Sequence, residues 1–152
     1  MKLEQVPTIG KATPANDGVD APFWVGLNAG ELRFQRCRAC ADWQWPAVWR
    51  CPDCGGWELD WCLIPAKGSV YSWTRTWQAF SPAMKSVLPY VTVLVELPHA
   101  GGRRLLGVLV DDEEGLAIGA PVEGIIQAAG PINFDQAILR WRLTPGARRR
   151  IA

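Results

Sequence analysis

Two pairs of cysteines constrain the fold of this chain more than any other feature of its sequence. Cys37 and Cys40 form the first Cys-x2-Cys pair, Cys51 and Cys54 form the second, and ten residues separate the pairs. Two pairs at such a spacing can converge on one tetrahedral metal ion, with each sulfur about 2.3 Å from it. The spacing therefore predicts a four-cysteine metal site around which the neighbouring residues fold.

Four protein ligands leave no coordination position for a reactive water, so we expect the ion to be structural and not catalytic. Zinc is the expected metal. Iron is the alternative, because sulfur tetrahedra accept both metals, and iron would colour the protein. Disulfides are disfavoured by the odd number of five cysteines and by a reducing compartment. The fifth cysteine, Cys62, lies in an apolar segment and is expected to be a buried, inert thiol.

The residues after each cysteine pair indicate how the metal-binding turns are built. Gly55 directly follows the second pair and is expected to adopt a positive φ, which turns backbone N–H groups toward the sulfurs. Ala41 stands at the equivalent position after the first pair. If the two turns share one geometry, Ala41 is held in the left-handed region at a cost of about 1 to 2 kcal/mol.

The composition excludes several classes of protein. The chain has 152 residues, of which 49% are hydrophobic and 20% charged, and its formal net charge is +1. No run approaches the roughly 18 to 20 apolar residues of a membrane span, and the N-terminal residues lack the apolar centre of a signal peptide. We therefore expect a cytoplasmic protein with no membrane interaction and no overall attraction to nucleic acid.

The chain divides into four segments of different character. Residues 1–19 are predicted to be a flexible arm, 20–65 a helix plus the metal ribbon, 66–143 a small barrel, and 144–152 a basic tail. The helix is expected to begin at Asp20 and to end at Gly30. Alternating runs separated by turn residues predict five strands in the third segment. They lie at 68–77, 90–97, 104–110, 121–128 and 136–143. The expected fold class is mostly β.

Nine tryptophans are many for a chain of this length, and they divide by context. Trp73 and Trp77 lie four residues apart on the first barrel strand and are predicted to pack in the core. Trp43, Trp45 and Trp49 lie between the cysteine pairs, where a ribbon is too small to bury three indoles. They either pack the ribbon on the helix or contact a partner, and we favour partner contact for at least one.

No catalytic set is visible in the sequence. His99 is the one histidine, and its neighbours Gly101 and Gly102 predict a solvated hairpin turn. The four consecutive acids at 111–114 are expected to form a solvated corner, because nothing nearby desolvates one of them to raise its pKa. We therefore expect the chain not to be an enzyme on its own.

The order of the motifs resembles one family of proteins. The motifs are Phe23-Trp24, Cys37-x2-Cys40, Cys51-Pro52-x-Cys54-Gly55 and Lys67-Gly68-Ser69-Val70-Tyr71-Ser72. Over residues 21–143 this order is similar to the rubredoxin-like zinc ribbon plus OB-fold proteins, a former domain of unknown function that accompanies thiolases and thiolase-like aldolases. The resemblance implies a zinc ribbon followed by a five-stranded OB-fold barrel.

The resemblance also implies a function. Members resemble acyl-CoA-binding or accessory subunits of complexes that form or cleave carbon–carbon bonds on CoA thioesters, including acetoacetyl-CoA thiolases and steroid side-chain aldolases. We therefore expect a noncatalytic subunit in a hetero-oligomer with a thiolase-like protein that carries the catalytic residues. Structural zinc is the implied cofactor, and a CoA thioester is a candidate shared ligand.

OB barrels commonly meet ligands through one strand face and through the loops that join strands 1 to 2 and 4 to 5. These loops are residues 78–89 and 131–135, and both contain apolar residues suited to a pantetheine arm. Arginines of the tail can bind CoA phosphates, and a solubilising tail is the alternative. The predicted CoA-binding residues are Phe80, Lys85, Asn133, Phe134, Arg148 and Arg149.

Two other functions stay open at the level of sequence. Ribbons and OB folds also bind nucleic acid, but this requires a basic groove with stacking aromatics, and the distribution of charge opposes it. The least favoured function is rubredoxin-like electron transfer, which requires iron in the four-cysteine site.

Overall fold

The computed structural model describes residues 18–80, 82–111, 113–133 and 135–144. Within these residues the chain forms one α-helix followed by eight strands, which confirms the mostly β fold class. The predicted arm and tail lie largely outside the described residues, and the division into segments stays a prediction.

The first part of the chain forms a three-stranded antiparallel sheet, here called the ribbon sheet. Helix α1 spans Ala21–Asn28 and precedes it. The strands are β1 (Arg33–Cys37), β2 (Trp43–Gln44) and β3 (Leu59–Leu63), in the spatial order β2-β1-β3. Each strand of the ribbon sheet is short because the metal-binding turns interrupt the chain after β1 and before β3.

Helix α1 lies within the predicted bounds of Asp20 and Gly30 and is shorter than predicted, spanning Ala21–Asn28. The carboxylate of Asp20 accepts a hydrogen bond from Trp24 Nε1 at 2.8 Å and so ties the indole to the start of the helix. Phe23 and Leu27 are buried and face the core, whereas Val25 is exposed. The helix is followed by Gly30, whose φ of +77° suits a residue without a side chain.

The second part of the chain forms a five-stranded antiparallel sheet, here called the barrel sheet. Its spatial order is β6-β5-β4-β7-β8. The strands are β4 (Lys67–Thr76), β5 (Tyr90–Leu97), β6 (Arg103–Val108), β7 (Pro121–Gln127) and β8 (Ile138–Leu143). Curvature brings the two ends of the sheet together, where Leu109 forms a parallel bridge to Trp141. The sheet thus approximates an OB barrel without full closure.

Strand β4 leaves the barrel halfway along its length. It pairs with β7 only over residues 67–69 but with β5 over residues 69–76, and a bulge lies between Val70 and Ser72. The second half of β4 therefore extends beyond the closed part of the barrel. Trp73 is 39% exposed and Trp77 is 70% exposed, so the prediction that they pack in the core is wrong. Trp73 lies in the half of β4 that has no β7 neighbour to cover it, and Trp77 lies beyond the end of β4.

The hairpin between β5 and β6 joins the ribbon to the barrel. Gly101 and Gly102 have φ of +61° and +74°, as predicted for this turn. A Cβ atom on Gly101 would lie 2.9 Å from Cδ1 of Trp43, so the turn and the ribbon pack without space for a side chain. Arg103 adds a hydrogen bond from its Nε to the carbonyl of Trp43 at 2.6 Å.

The hydrophobic core is continuous from the helix to the barrel. At the ribbon end, Trp45 stacks on Phe34 with ring centroids 4.7 Å apart and contacts Phe23 at 4.6 Å. At the barrel end, Trp141 is fully buried against Gly107, where an added Cβ would lie 2.7 Å from the indole. Because both parts contribute to one core, the barrel holds the ribbon in a defined position.

Candidate metal centre and adjoining groove

The four paired cysteines bring their sulfur atoms together at one end of the ribbon sheet. All four Sγ atoms lie within 4.8 Å of one another. Cys37 and Cys54 have their sulfurs 3.6 Å apart, and Cys40 and Cys51 have theirs 3.7 Å apart. Sulfurs at the corners of a tetrahedron around zinc are separated by about 3.8 Å, whereas a disulfide requires about 2.05 Å. The cluster therefore fits a metal ion and does not form disulfides in this arrangement.

The two metal-binding turns share one backbone geometry. Ala41 donates its N–H to the carbonyl of Cys37, and Gly55 donates its N–H to that of Cys51, both at 2.9 Å. Ala41 has a φ of +63° and Gly55 a φ of +75°. The prediction that Ala41 occupies the left-handed region is confirmed. An L-residue with a Cβ atom is strained there by about 1 to 2 kcal/mol.

The protonation of the thiols shows why the cluster favours a cation. The backbone N–H of Cys40 lowers the pKa of Cys37 to about 7, against the effect of burial. For Cys40 the N–H of Asp42 acts in the same direction, but burial and the neighbouring thiols raise the pKa to about 12. A second thiolate is thus disfavoured beside the first. A bound divalent ion offsets this repulsion and replaces the protons.

Polar groups around the cluster complete the site. The N–H of Gly56 donates to Cys54 Sγ at 3.4 Å, as the geometry of Gly55 requires. The buried side chain of Gln44 donates from Nε2 to Cys51 Sγ at 3.7 Å and to Asp53 Oδ2 at 2.9 Å. Such donors lower the charge on ligating sulfurs. Sequence reasoning missed Gln44, because a glutamine between two tryptophans carries no motif.

A groove lies where α1, the ribbon sheet and the barrel sheet meet, and we call it the junction groove. Its larger part has a volume of about 550 Å³, and the walls include Phe23, Trp24, Trp45 and Leu106. A second part, of about 480 Å³, shares Trp45 and Leu106 and continues to Arg104. The groove is therefore apolar over most of its length and cationic at one end. No sequence pattern predicted it, because its walls come from three separate segments.

Comparisons with known proteins match both parts of the chain. Residues 24–60 match the family model described as ChsH2, rubredoxin-like zinc ribbon domain, and residues 61–126 match ChsH2, C-terminal OB-fold domain. A chain in the solved structure titled "Ltp2-ChsH2(DUF35) aldolase" is 30% identical, with a TM-score of 0.73. The match covers 86% of this chain and 98% of that one.

This chain belongs to the ChsH2 (DUF35) family.

A DUF35 protein of unknown function from Sulfolobus solfataricus shares the fold at 19% identity, with a TM-score of 0.58 and coverage of 84% and 87% of the two chains. No curated protein matches the chain. The family confirms the zinc ribbon and the OB fold that the order of motifs implied. None of the helices in the described ranges is both long and apolar enough to span a bilayer.

The structure places the predicted CoA-binding residues of this ChsH2-family chain in different environments. Phe80 is 77% exposed, and Lys85 is exposed on the 3₁₀ helix Pro82–Val87. Asn133 is buried and donates from Nδ2 to the carbonyl of Ala128 at 2.8 Å, which stabilises its own loop. None of these three lines the junction groove. Phe134, Arg148 and Arg149 lie outside the described residues, and CoA contact by all six stays a prediction.

Other predicted groups in the ribbon have mixed outcomes. Of the tryptophans between the cysteine pairs, Trp45 packs on the helix and β1, whereas Trp49 is 69% exposed, and contact with a partner stays a prediction. Cys62 is half-buried and not fully buried as expected, because β3 is the edge strand of the ribbon sheet. It lies outside the four-sulfur cluster.

We expect the purified protein to be colourless and to contain one zinc ion per chain, measured by plasma mass spectrometry. Cys51→Ser should abolish stoichiometric zinc, because three sulfurs cannot close the tetrahedron, whereas the control Cys62→Ser should retain it. Zinc affinity should fall as the pH is lowered, because protons compete with the ion for the thiolates. A chain that is folded without metal would contradict this prediction.

Ala41→Gly should raise the unfolding free energy of the zinc-loaded protein by about 1 kcal/mol, because glycine tolerates the positive φ at this exposed position. The control Ala39→Gly, in the same turn, should lower the unfolding free energy by a few tenths to about 1 kcal/mol. The introduced glycine there only adds conformational freedom to the unfolded chain. Urea unfolding measures both. Equal effects of the two substitutions would show that Ala41 is not strained.

Proposed function

We propose that this chain is a noncatalytic accessory subunit of a thiolase-like enzyme complex that forms or cleaves carbon–carbon bonds on CoA thioesters. The observation that carries the proposal is the match, over nearly the whole of both chains, to a ChsH2 chain that forms an aldolase with a second protein. The shared fold places the ribbon and the barrel in one rigid core, as a subunit with a defined binding surface requires.

The chemistry of the described residues supports assigning catalysis to the partner. The four clustered cysteines would saturate one tetrahedral ion and leave no open metal position for a substrate. His99 is exposed in the β5–β6 hairpin, whereas Cys62 lies on β3 opposite Phe34. These two groups lie on different sheets and do not form the nucleophile–base pair that acyl transfer uses.

The junction groove supports acyl-CoA as the shared ligand. Its apolar part suits an acyl chain or a pantetheine arm, which are both long and largely uncharged. Arg104 lies at the other end, where its guanidinium stacks on the Tyr71 ring at 3.4 Å and its Nε lies 3.2 Å from Glu96. Arg103 lines the same end of the groove, donates from Nε to the carbonyl of Trp43 and, among the described residues, pairs with no carboxylate, so it can add a charge-assisted hydrogen bond to a phosphate.

Nucleic-acid binding is the second candidate, and the pairing of charges counts against it. Arg75 and Arg104 both contact an aromatic ring, as a stacking surface would require. Each is also paired with a carboxylate, Arg75 with Glu113 and Arg104 with Glu96. Neutralised arginines release few counterions from a phosphate backbone, so we expect no salt-sensitive mobility shift with single-stranded RNA or DNA.

Co-expression with the thiolase-like protein encoded nearest to this chain should yield a stable complex in gel filtration. Activity toward acyl-CoA should depend on this chain, because the partner needs it to complete its substrate site. Separate purification of each chain and of the complex provides the comparison. Full activity of the partner alone, with no complex formed, would overturn the proposal.

Leu106→Glu should weaken binding of a medium-chain acyl-CoA such as octanoyl-CoA to the complex at least tenfold. The substitution places a carboxylate in the apolar groove and beside the expected position of the phosphates. Ile118→Glu is the matched control, because Ile118 is 77% and Leu106 63% exposed, and Ile118 does not line the groove. Isothermal titration measures both variants. Equal affinity of the Leu106→Glu and Ile118→Glu variants for octanoyl-CoA would show that the junction groove is not part of the acyl-CoA site.

A further inference from the structure

The ribbon sheet has two apolar faces, of which one is buried in the core and the other is covered only in part. Across the β1–β3 pair, Phe34 stands opposite Cys62, and Phe34 is fully buried in the core. Side chains alternate along a strand, so Leu59, Trp61 and Leu63 all point to the other side of the sheet. An apolar face of this kind is usually buried against another layer of the same domain. Here the described residues cover this face only in part: Leu59 and Trp61 are half-buried and Trp61 packs against the core, whereas Leu63 is exposed.

The partly covered face is enlarged by two tryptophans that flank the second cysteine pair. Trp49 is 69% exposed, Trp57 is 70% exposed and Leu63 is 66% exposed. A cleft of about 360 Å³ lies between them, with Trp49, Trp57 and Trp61 in its walls. We call the residues Trp49, Trp57, Leu59, Trp61 and Leu63 the tryptophan face.

The size of the tryptophan face matches the centre of a protein–protein interface. A single indole buries about 150 to 250 Å² when it is covered, so two indoles exposed to this degree and their neighbours offer on the order of 500 Å². A typical interface buries about 800 Å² on each partner and has an apolar centre. Tryptophan is also the residue type most enriched among the few that dominate binding energy.

One arginine at the rim of the tryptophan face indicates the charge of the surface that covers it. The guanidinium of Arg50 lies 5.1 Å from the ring of Trp57, and its Nε donates to the carbonyl of Gly55 at 2.7 Å. Among the described residues no carboxylate pairs with Arg50. A complementary surface would therefore place a carboxylate opposite Arg50.

The tryptophan face does not supply this carboxylate to a second copy of itself. Its five side chains are all uncharged, and the acids that alternate with them on β3 are engaged elsewhere. Asp60 binds Arg38 at 2.7 Å, and Glu58 lies 3.8 Å from the same arginine. Charge complementarity thus favours a different protein over a symmetric dimer.

We propose that the tryptophan face is the surface through which this chain binds its thiolase-like partner. The complementary surface on the partner is apolar at its centre and carries a carboxylate at the position of Arg50. This inference rests on the proposed function and names the part of the chain that performs it. It also leaves the junction groove, on other residues, free for an acyl-CoA ligand.

The test compares two tryptophans with the same exposure. Trp57 and Trp77 are both 70% exposed, but Trp77 follows β4 and lies outside the tryptophan face. With the full-length, zinc-loaded chain and the purified partner, Trp57→Ala should raise the dissociation constant on the order of 30-fold or more, as loss of a dominant contact does. Trp77→Ala should leave it unchanged within about threefold. Arg50→Glu should weaken binding, and Arg50→Lys should largely preserve it.

Each other outcome overturns a defined part of the argument. A wild-type chain that does not bind the partner removes the proposed function and this inference together. A wild-type chain that binds, with Trp57→Ala and Arg50→Glu binding equally well, removes this inference alone. A self-associating wild-type chain that Trp57→Ala makes monomeric would assign the face to a second copy. If the isolated Trp57→Ala variant melts several degrees below the Trp77→Ala variant, the tryptophan face packs against residues of this same chain and not against a partner.

Discussion

Four cysteine sulfurs lie within 4.8 Å of one another, and a cation bound among them would offset the mutual repulsion of their thiolates. The two turns that hold them repeat one hydrogen-bond pattern, and this pattern keeps Ala41 in a conformation that ordinary residues avoid. Metal binding therefore supplies the free energy that the ribbon sheet, with strands of two to five residues, does not obtain from its own pairing. The positions of β1, β2 and β3 all depend on this metal binding.

The barrel fixes the orientation of the ribbon sheet. Trp45 stacks on Phe34 in the shared core, and Trp43 packs against the glycine turn between β5 and β6. These contacts leave the junction groove open on one side and the tryptophan face exposed on another. The shared core thus holds the junction groove and the tryptophan face on different residues.

The features that were predictable depend on residues close together in the chain. The cysteine pairs, the N-cap of α1 at Asp20 and the turn at Gly101 each have a local chemical reason, and the structure has all three. The environments of Trp73 and Cys62 were not predictable in this way. Their exposure depends on where β4 separates from β7 and on β3 being an edge strand, and both are properties of strand order.

The sequence by itself determined the metal ligands, the succession of ribbon and barrel, and the positive φ at Ala41 and Gly55, because spacing and backbone sterics act over a few residues. Only the tertiary structure decided which apolar face is covered. The alternation along residues 57–63 is compatible with either side of β3 facing the core. Packing of Phe34 with Trp45, which in turn contacts Phe23 of helix α1, selected one side. On the opposite side Trp57 and Leu63 were left exposed and Trp61 half-buried.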